Sequence, residues 1–222
     1  MTRSLTLVPI GIFLVLTAGC ASEEPFDGEL DGEQEVAAEE DQTAEEDQEE
    51  GIIGEAEEVT GDGSLPNGLL PPYCNNVTSW DANWASFEAE VITLINQKRA
   101  AGATCGATYY GPAPALTKHD NLRCSARVHS KDMGTNNFFS HTGSNGSTFS
   151  QRMTSAGYAW TAAAENIGAG YTTPTAAVNG WMASEGHCKN IMSKTYVHVG
   201  VGYQYSSTAT YKHYWTQNFG KQ

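Results

Sequence analysis

Residues 21 to 62 carry 19 Asp and Glu side chains and no Lys or Arg. A stretch such as EEPFDGELDGEQEVAAEEDQTAEEDQEE also has few large apolar residues, so it cannot bury enough surface to offset its ordering entropy. It is expected to be a disordered, extended and solvated tether, which confines any core to the residues beyond position 62. The formal charge of -14 therefore misdescribes the folded part. From Gly63 to Gln222 there are 11 basic residues against 7 acidic ones, a net of +4. That mild excess forms no dense Lys/Arg stripe, and nucleic acid is excluded as a partner on this pattern.

The first 20 residues, MTRSLTLVPIGIFLVLTAGC, place Arg3 ahead of an apolar run from Leu5 to Gly19. The run is too short to span a bilayer comfortably, contains Pro9, and has the layout of a secretory signal. Its end, Thr17-Ala18-Gly19-Cys20, resembles the lipobox of bacterial lipoproteins, whose cysteine is acylated. A lipidated Cys20 makes the membrane a partner and the cell envelope the location. An ordinary cleaved signal ending near a cysteine would instead release a secreted protein.

About 160 residues remain from position 63 to 222, enough for one domain that buries roughly two-thirds of its chain surface. The proline-rich bend SLPNGLLPPYC marks its start. The domain holds Cys74, Cys105, Cys124 and Cys188, and an even number in an exported chain points to two disulfides with three possible pairings. The expected pairing is Cys105 with Cys124, closing a short loop between two predicted helices, which leaves Cys74 for Cys188. No CxxC spacing favours a structural zinc site.

From Trp84 onward, Phe87, Val91, Leu94 and Ile95 recur at helical spacing, with Lys98 and Arg99 late and Gly102 as a stop. A second helix is expected from Thr117, where Thr117-Lys118-His119-Asp120 fits a capping box, with Leu122, Ala126, His129 and Met133 on its buried stripe. HTGSNGS reads as a polar loop before a short helix at Phe149 and Met153 that Gly157 ends. AENIGAGY reads as a strand, followed by a helix with Pro174 in its first turn that carries Val178, Trp181 and Met182 and runs out at Gly186. YVHVGVGYQY and TYKHYWTQNF both alternate and form a hairpin. Helices around a small antiparallel sheet define an α+β class.

The candidate functional residues are His141 in the FSHTGSNG loop, Glu165 opening the AENIGAG strand, and Glu185 with His187 in WMASEGHCKN. Glu165 shares a strand face with Ile167 and Ala169, and an inward carboxylate needs a partner or an altered pKa. The plainer roles are a backbone-bonding Glu165, a loop-end His141 and, for His129, a hydrogen-bonded core position. Cys188 beside His187 suits a disulfide better than a nucleophile, because a thiolate needs its base from elsewhere in the fold. Ser184 suits capping or turn duty.

The ordered segments LINQKRAAGA, LRCSARVHSKDM, FFSHTGSNGSTFSQRMTSAGY, AENIGAGYTTPTAAVNGWMASEGHCKNIM, VHVGVGY and YWTQNFG resemble a bacterial member of the CAP superfamily. That group takes in cysteine-rich secretory proteins, venom antigens and plant pathogenesis-related proteins, and is also called the SCP-like extracellular domain. The resemblance runs from about Phe87 to Gly220. It implies an α-β-α sandwich with a small central antiparallel sheet flanked by helices. It also implies a cleft lined by two histidines and two acidic residues, which in some members binds divalent metal. Carried over by motif, these are His141, Glu165 and His187, with Glu185 as the only acidic candidate for the fourth corner. A helical segment 185 to 187 would set Glu185 and His187 about 200° apart, whereas an extended one would face them the same way.

The resemblance thus implies Zn2+ or another divalent cation as a cofactor. Two functions are compatible with such a cleft. One is an envelope-displayed binding module that engages a lipid, glycan or protein ligand. The other is a zinc-dependent, peptidase-like hydrolase with His141 and His187 as ligands and Glu165 as general base.

Overall fold

The computed structural model describes residues 34 to 37 and 70 to 222. The expected signal segment with Cys20 and the rest of the acidic tether lie outside the described residues. Residues Gln34–Ala37 form β1, antiparallel to a later strand, so at these four positions the expected tether is a paired strand. An open sheet edge presents unpaired backbone groups, which an extended segment can satisfy.

The described domain opens with a 3-10 turn, Pro72–Val77, and the 20-residue α1, Ala82–Ala101. Asp81 caps α1 by accepting from the Asn83 and Trp84 amides at 2.8 and 3.1 Å, and Gly102, the stop expected from the sequence, ends it at φ 77°. Strands β2, Ala103–Cys105, and β3, Thr108–Tyr110, make a separate small hairpin. The expected helix start at Thr117 is corrected: Thr117–Lys118 is β4, whose backbone pairs in parallel with a later strand. Helix α2, Asp120–Asn136, begins three residues on, with the His119 ring as its cap.

Helix α3, Phe149–Ser155, has a full capping box between Thr148 and Gln151. Strand β5, Ala162–Ala169, leads to α4, Pro174–Ala183, and after a break at Ser184 the chain turns back into α5, Glu185–Met192. The expectation that helix gives way at Gly186 is therefore corrected. Ser184 breaks the helix with extended backbone at ψ 129°, and its carbonyl accepts from Cys188 N at 2.9 Å to start the next one. The hairpin of β6, His198–Tyr205, and β7, His213–Lys221, completes the fold.

The main sheet runs β1-β5-β7-β6-β4. Helices α2 and α3 pack on one face, and α1, α4 and α5 on the other. This is the expected α-β-α sandwich. The second face holds the larger core, with Val91, Ile95, Trp181, Ile191, Val199, Val201, Trp215 and Phe219 all buried. On the first face, Gly200 and Gly202 let α2 approach so closely that a Cβ at either would strike the α2 backbone, at Leu122–Arg123 and Ala126–Arg127 respectively. Beside them Arg127 forks onto Glu88 at 2.5 to 3.0 Å and lies over the Trp80 ring, tying α1 to α2.

The two disulfides are Cys74–Cys124 and Cys105–Cys188, which corrects the expected pairing. Cys124 on α2 faces the 3-10 turn that carries Cys74, while Cys105 at the end of β2 packs against α5 and Cys188. The two layers lie on opposite sides of the sheet, so the short sequence loop from 105 to 124 does not bring its ends together.

Candidate functional site

Glu165 sits on β5 with its side chain on the α2–α3 face, alongside Ile167 and Ala169, and is fully buried. Such a carboxylate requires partners, and it has several. Arg152 on α3 donates from Nη2 to Oε1 and Oε2 at 3.0 and 2.8 Å. His141 Nδ1 lies 2.9 Å from Oε1, and the Asn218 amide, with its nitrogen turned to Glu165, donates to Oε2 at 3.0 Å. Burial alone would raise the Glu165 pKa, but the attraction of His129, Arg152 and His141 outweighs it and holds the carboxyl at about 2. Because His129 is itself uncharged at neutral pH, the guanidinium is the lasting counter-charge.

Arg152 is the residue that sequence reasoning missed. It is 3% exposed, and besides Glu165 it binds the His141 carbonyl at 2.9 Å and the Ser147 carbonyl at 2.8 Å. It therefore fixes both the carboxylate and the loop that presents His141. The available signal was its place three residues after Phe149 in FSQRM, which puts it on the buried face of the short helix.

His187 arrives from the other layer, at the third residue of α5, and is 1% exposed. Asn166 Nδ2 holds its carbonyl at 3.1 Å and also meets Gln217 Oε1 at 3.0 Å, while Asn190 Nδ2 donates to Asn166 Oδ1 at 2.9 Å. This amide chain on the opposite sheet face seats the first turn of α5. Burial, reinforced by the neighbouring His141, lowers His187 to about 4, so its ring is neutral at neutral pH. His141 and Glu165 thus belong to the α2–α3 side and His187 to the other layer, near enough for His141 to act on its charge, and the β1 register places Gln34 beside Glu165 on β5.

Glu185 does not join this group. Because residues 185 to 187 are helical, its side chain turns away from His187, lies over Gly106 and pairs with Lys189 at 2.7 Å. Its side chain is 55% exposed. Glu185 as the fourth corner is corrected on this geometry.

His129, the expected core histidine, is fully buried, with Nε2 2.9 Å from the Ser140 carbonyl. Burial lowers it to about 4, against the opposing pull of Glu165 at 3.9 Å. It supports the loop that carries His141 and is held out of the site proper.

Three imidazole nitrogens in the site are buried and have no hydrogen-bond partner: His141 Nε2 and both nitrogens of His187. With His141 Nδ1 fixed by Glu165, its Nε2 is oriented as a metal-binding histidine is by a carboxylate behind it. The four-residue ligand set implied by the resemblance does not fit, since Glu185 is elsewhere and both Glu165 oxygens are engaged. Among the described residues no group of three or more His, Cys, Asp or Glu could hold a metal ion.

The family model described as CAP, cysteine-rich secretory protein family, matches residues 92 to 219. The chain is 37% identical over 146 residues to the uncharacterized protein YkwD of Bacillus subtilis (strain 168), covering 65% of this chain and 51% of that protein. It is 38% identical over 154 residues to the uncharacterized membrane protein YlbC of the same strain, covering 69% and 40%. The chain thus spans about half the length or less of these relatives. A solved extracellular protein containing an SCP domain, from Bacillus anthracis str. Ames, aligns at TM-score 0.52 and 26% identity over 65% of this chain and 45% of that one. With the family model matching more than half of the chain and the fold in place, the chain belongs to the CAP, or cysteine-rich secretory protein, family.

Proposed function

We propose that this chain is an exported, envelope-displayed CAP-domain binding protein in which His141 and His187 hold a divalent cation, zinc among them, that presents an open position to a ligand. One observation carries the reading: three buried imidazole nitrogens, one of them backed by a carboxylate, have no partner. Each unsatisfied buried polar group costs about 1–3 kcal/mol, so a polar occupant has a stabilising role there. Export is supported by the signal-like N-terminus, the two disulfides and the family's extracellular SCP-domain relative. Lipidation of Cys20 would attach the protein to a membrane, with the acidic segment as spacer.

The hydrolase reading assigns general-base duty to Glu165, and the geometry favours binding instead. A base needs a free oxygen near the water it deprotonates. Here Arg152, His141 and Asn218 engage both oxygens, so Glu165 orients His141 rather than accepting a proton.

A cation that binds only the folded state raises its apparent stability by about 2.7 kcal/mol at 100 times its dissociation constant. Thermal unfolding of the full chain is therefore expected to shift upward with added zinc, and the shift to vanish in His187→Ala. An unchanged melting temperature across zinc, copper, nickel and manganese would reject the cation.

A further inference from the structure

In the main sheet β5 lies between β7 and the short β1, so without β1 its outer side would be an open edge. The pairing with β7 fixes which backbone groups face that edge. Gly170 N donates to the His213 carbonyl at 2.9 Å, and along an antiparallel pair the mutually bonded residues alternate. The even-numbered residues of β5 therefore bond to β7, while Ala163, Glu165 and Ile167 turn N–H and C=O outward. At Ile167 the domain caps its own edge, because Trp181 Nε1 donates to that carbonyl at 2.8 Å. At Ala163 and Glu165 the partner is instead β1, by the register Val36 to Ala163 and Gln34 to Glu165.

Both residues are fully buried, and a buried backbone group left unpaired costs about 1–3 kcal/mol. The edge from Ala162 to Glu165 thus demands an extended strand, and what meets the demand comes from outside the domain. Three consecutive alanines, Ala162 to Ala164, line it, so no large side chain of β5 obstructs an incoming chain. A strand held through its main chain is recognised with little demand on side-chain identity. Charge then selects among strands. Residues 21 to 62 carry 19 acidic side chains and no basic one, whereas residues 63 to 222 have a net charge of 11 - 7 = +4.

We propose that the Ala162–Glu165 edge is a docking strip for extended acidic peptide, which Gln34–Ala37 occupy as an exchangeable strap within the chain. The proposal rests on the binding reading above, for which it names peptide as the ligand class. Glu165 belongs to both: its side chain orients His141 while its backbone pairs with the docked strand. A strap in the same chain competes at an effective concentration on the order of 1 mM. An outside peptide with a dissociation constant of ~0.1 mM then reads about tenfold weaker in the wild type than in a chain whose strap is released.

Val36→Pro releases the strap in the full chain, because proline removes the N–H that faces Ala163. The probe is a fluorescein-labelled peptide of sequence DGEQEVAAEE, residues 31 to 40, titrated by fluorescence anisotropy in EDTA. Saturable binding to Val36→Pro is expected, about tenfold weaker in the wild type and lost when the peptide carries the same proline. Hydrogen exchange supplies a second readout. The Ala163 and Glu165 amides should be protected in the wild type, exchange about tenfold faster or more in Val36→Pro, and regain protection with saturating peptide. Those of Asn166 and Gly168, bonded to β7, should not change. Equal exchange at Ala163 and Glu165 in the two chains, or equal peptide affinity, would overturn the proposal. So would absence of saturable binding to Val36→Pro at millimolar peptide, or binding that the proline-containing peptide retains. Because EDTA removes the cation and zinc binding is titrated separately, loss of the peptide dock and loss of the cation site are distinct results.

Discussion

Arg152→Met removes one positive charge from under the site while keeping most of the volume, and it tests how the buried carboxylate is held. Glu165 is 0% exposed and Arg152 3%, so the pair is shielded from solvent on all sides. Breaking a buried ion pair by deleting one partner typically costs about 3–5 kcal/mol, because the other charge is stranded. His141 and Asn218 remain as hydrogen-bond partners of the carboxylate, which places the expectation near the lower end, about 3 kcal/mol. For a domain of this size that lowers the melting temperature by roughly 6–12 °C. The assay is urea unfolding at pH 7 followed by fluorescence of the buried Trp181 and Trp215. Arg152→Met with Glu165→Gln leaves no stranded charge, and it should be less destabilised than the sum of the single variants by about 2 kcal/mol or more. A cost under about 0.5 kcal/mol for Arg152→Met, or simple additivity in the pair, would refute the reasoning.

Gly200→Ala drives a Cβ into the α2 backbone at Leu122 and Arg123, where no side chain can swing aside, so a loss of about 3 kcal/mol or more is expected in the same unfolding assay. Joint Cys105→Ser and Cys188→Ser substitution opens a link across a sequence separation of 83 residues. Chain entropy sets that loss at up to about 4–5 kcal/mol, measurable against the wild type in the absence of reductant. His129 has a folded pKa near 4 against an unfolded value near 6.5, so its contribution is present above the unfolded value and is lost as pH falls from about 6.5 toward 4. His129→Gln should flatten the pH dependence of stability in that window, and an unchanged slope would show that another group carries it.

The parts of the fold visible in sequence are those set by local rules. Gly102 stops α1, the Phe149 and Met153 spacing marks α3, and strict alternation reveals β6 and β7. Glu165, Ile167 and Ala169 do share a face, so the inward carboxylate was legible as well. What escaped depends on which layer an element joins. The disulfides follow the layers and not the loop lengths, because α2 and α5 lie on opposite faces of the sheet. Thr117 satisfies its backbone with β6 instead of capping a helix, a long-range choice that no local pattern encodes. Glu185 resembles a site residue until α5 fixes its rotation, and Arg152 resembles a surface cation until α3 buries it. The alternation of Gly200 and Gly202 on one face was the overlooked sign of a helix packed close against the strand.

Zinc titration of the full chain by calorimetry, wild type against His141→Ala, His187→Ala and Glu185→Ala, tests most directly whether two distant segments form one cation site. One equivalent of zinc is expected to bind the wild type and Glu185→Ala alike, with binding lost in both histidine variants. Zinc binding that persists without His141 and His187, or that disappears with Glu185, would contradict the site as described.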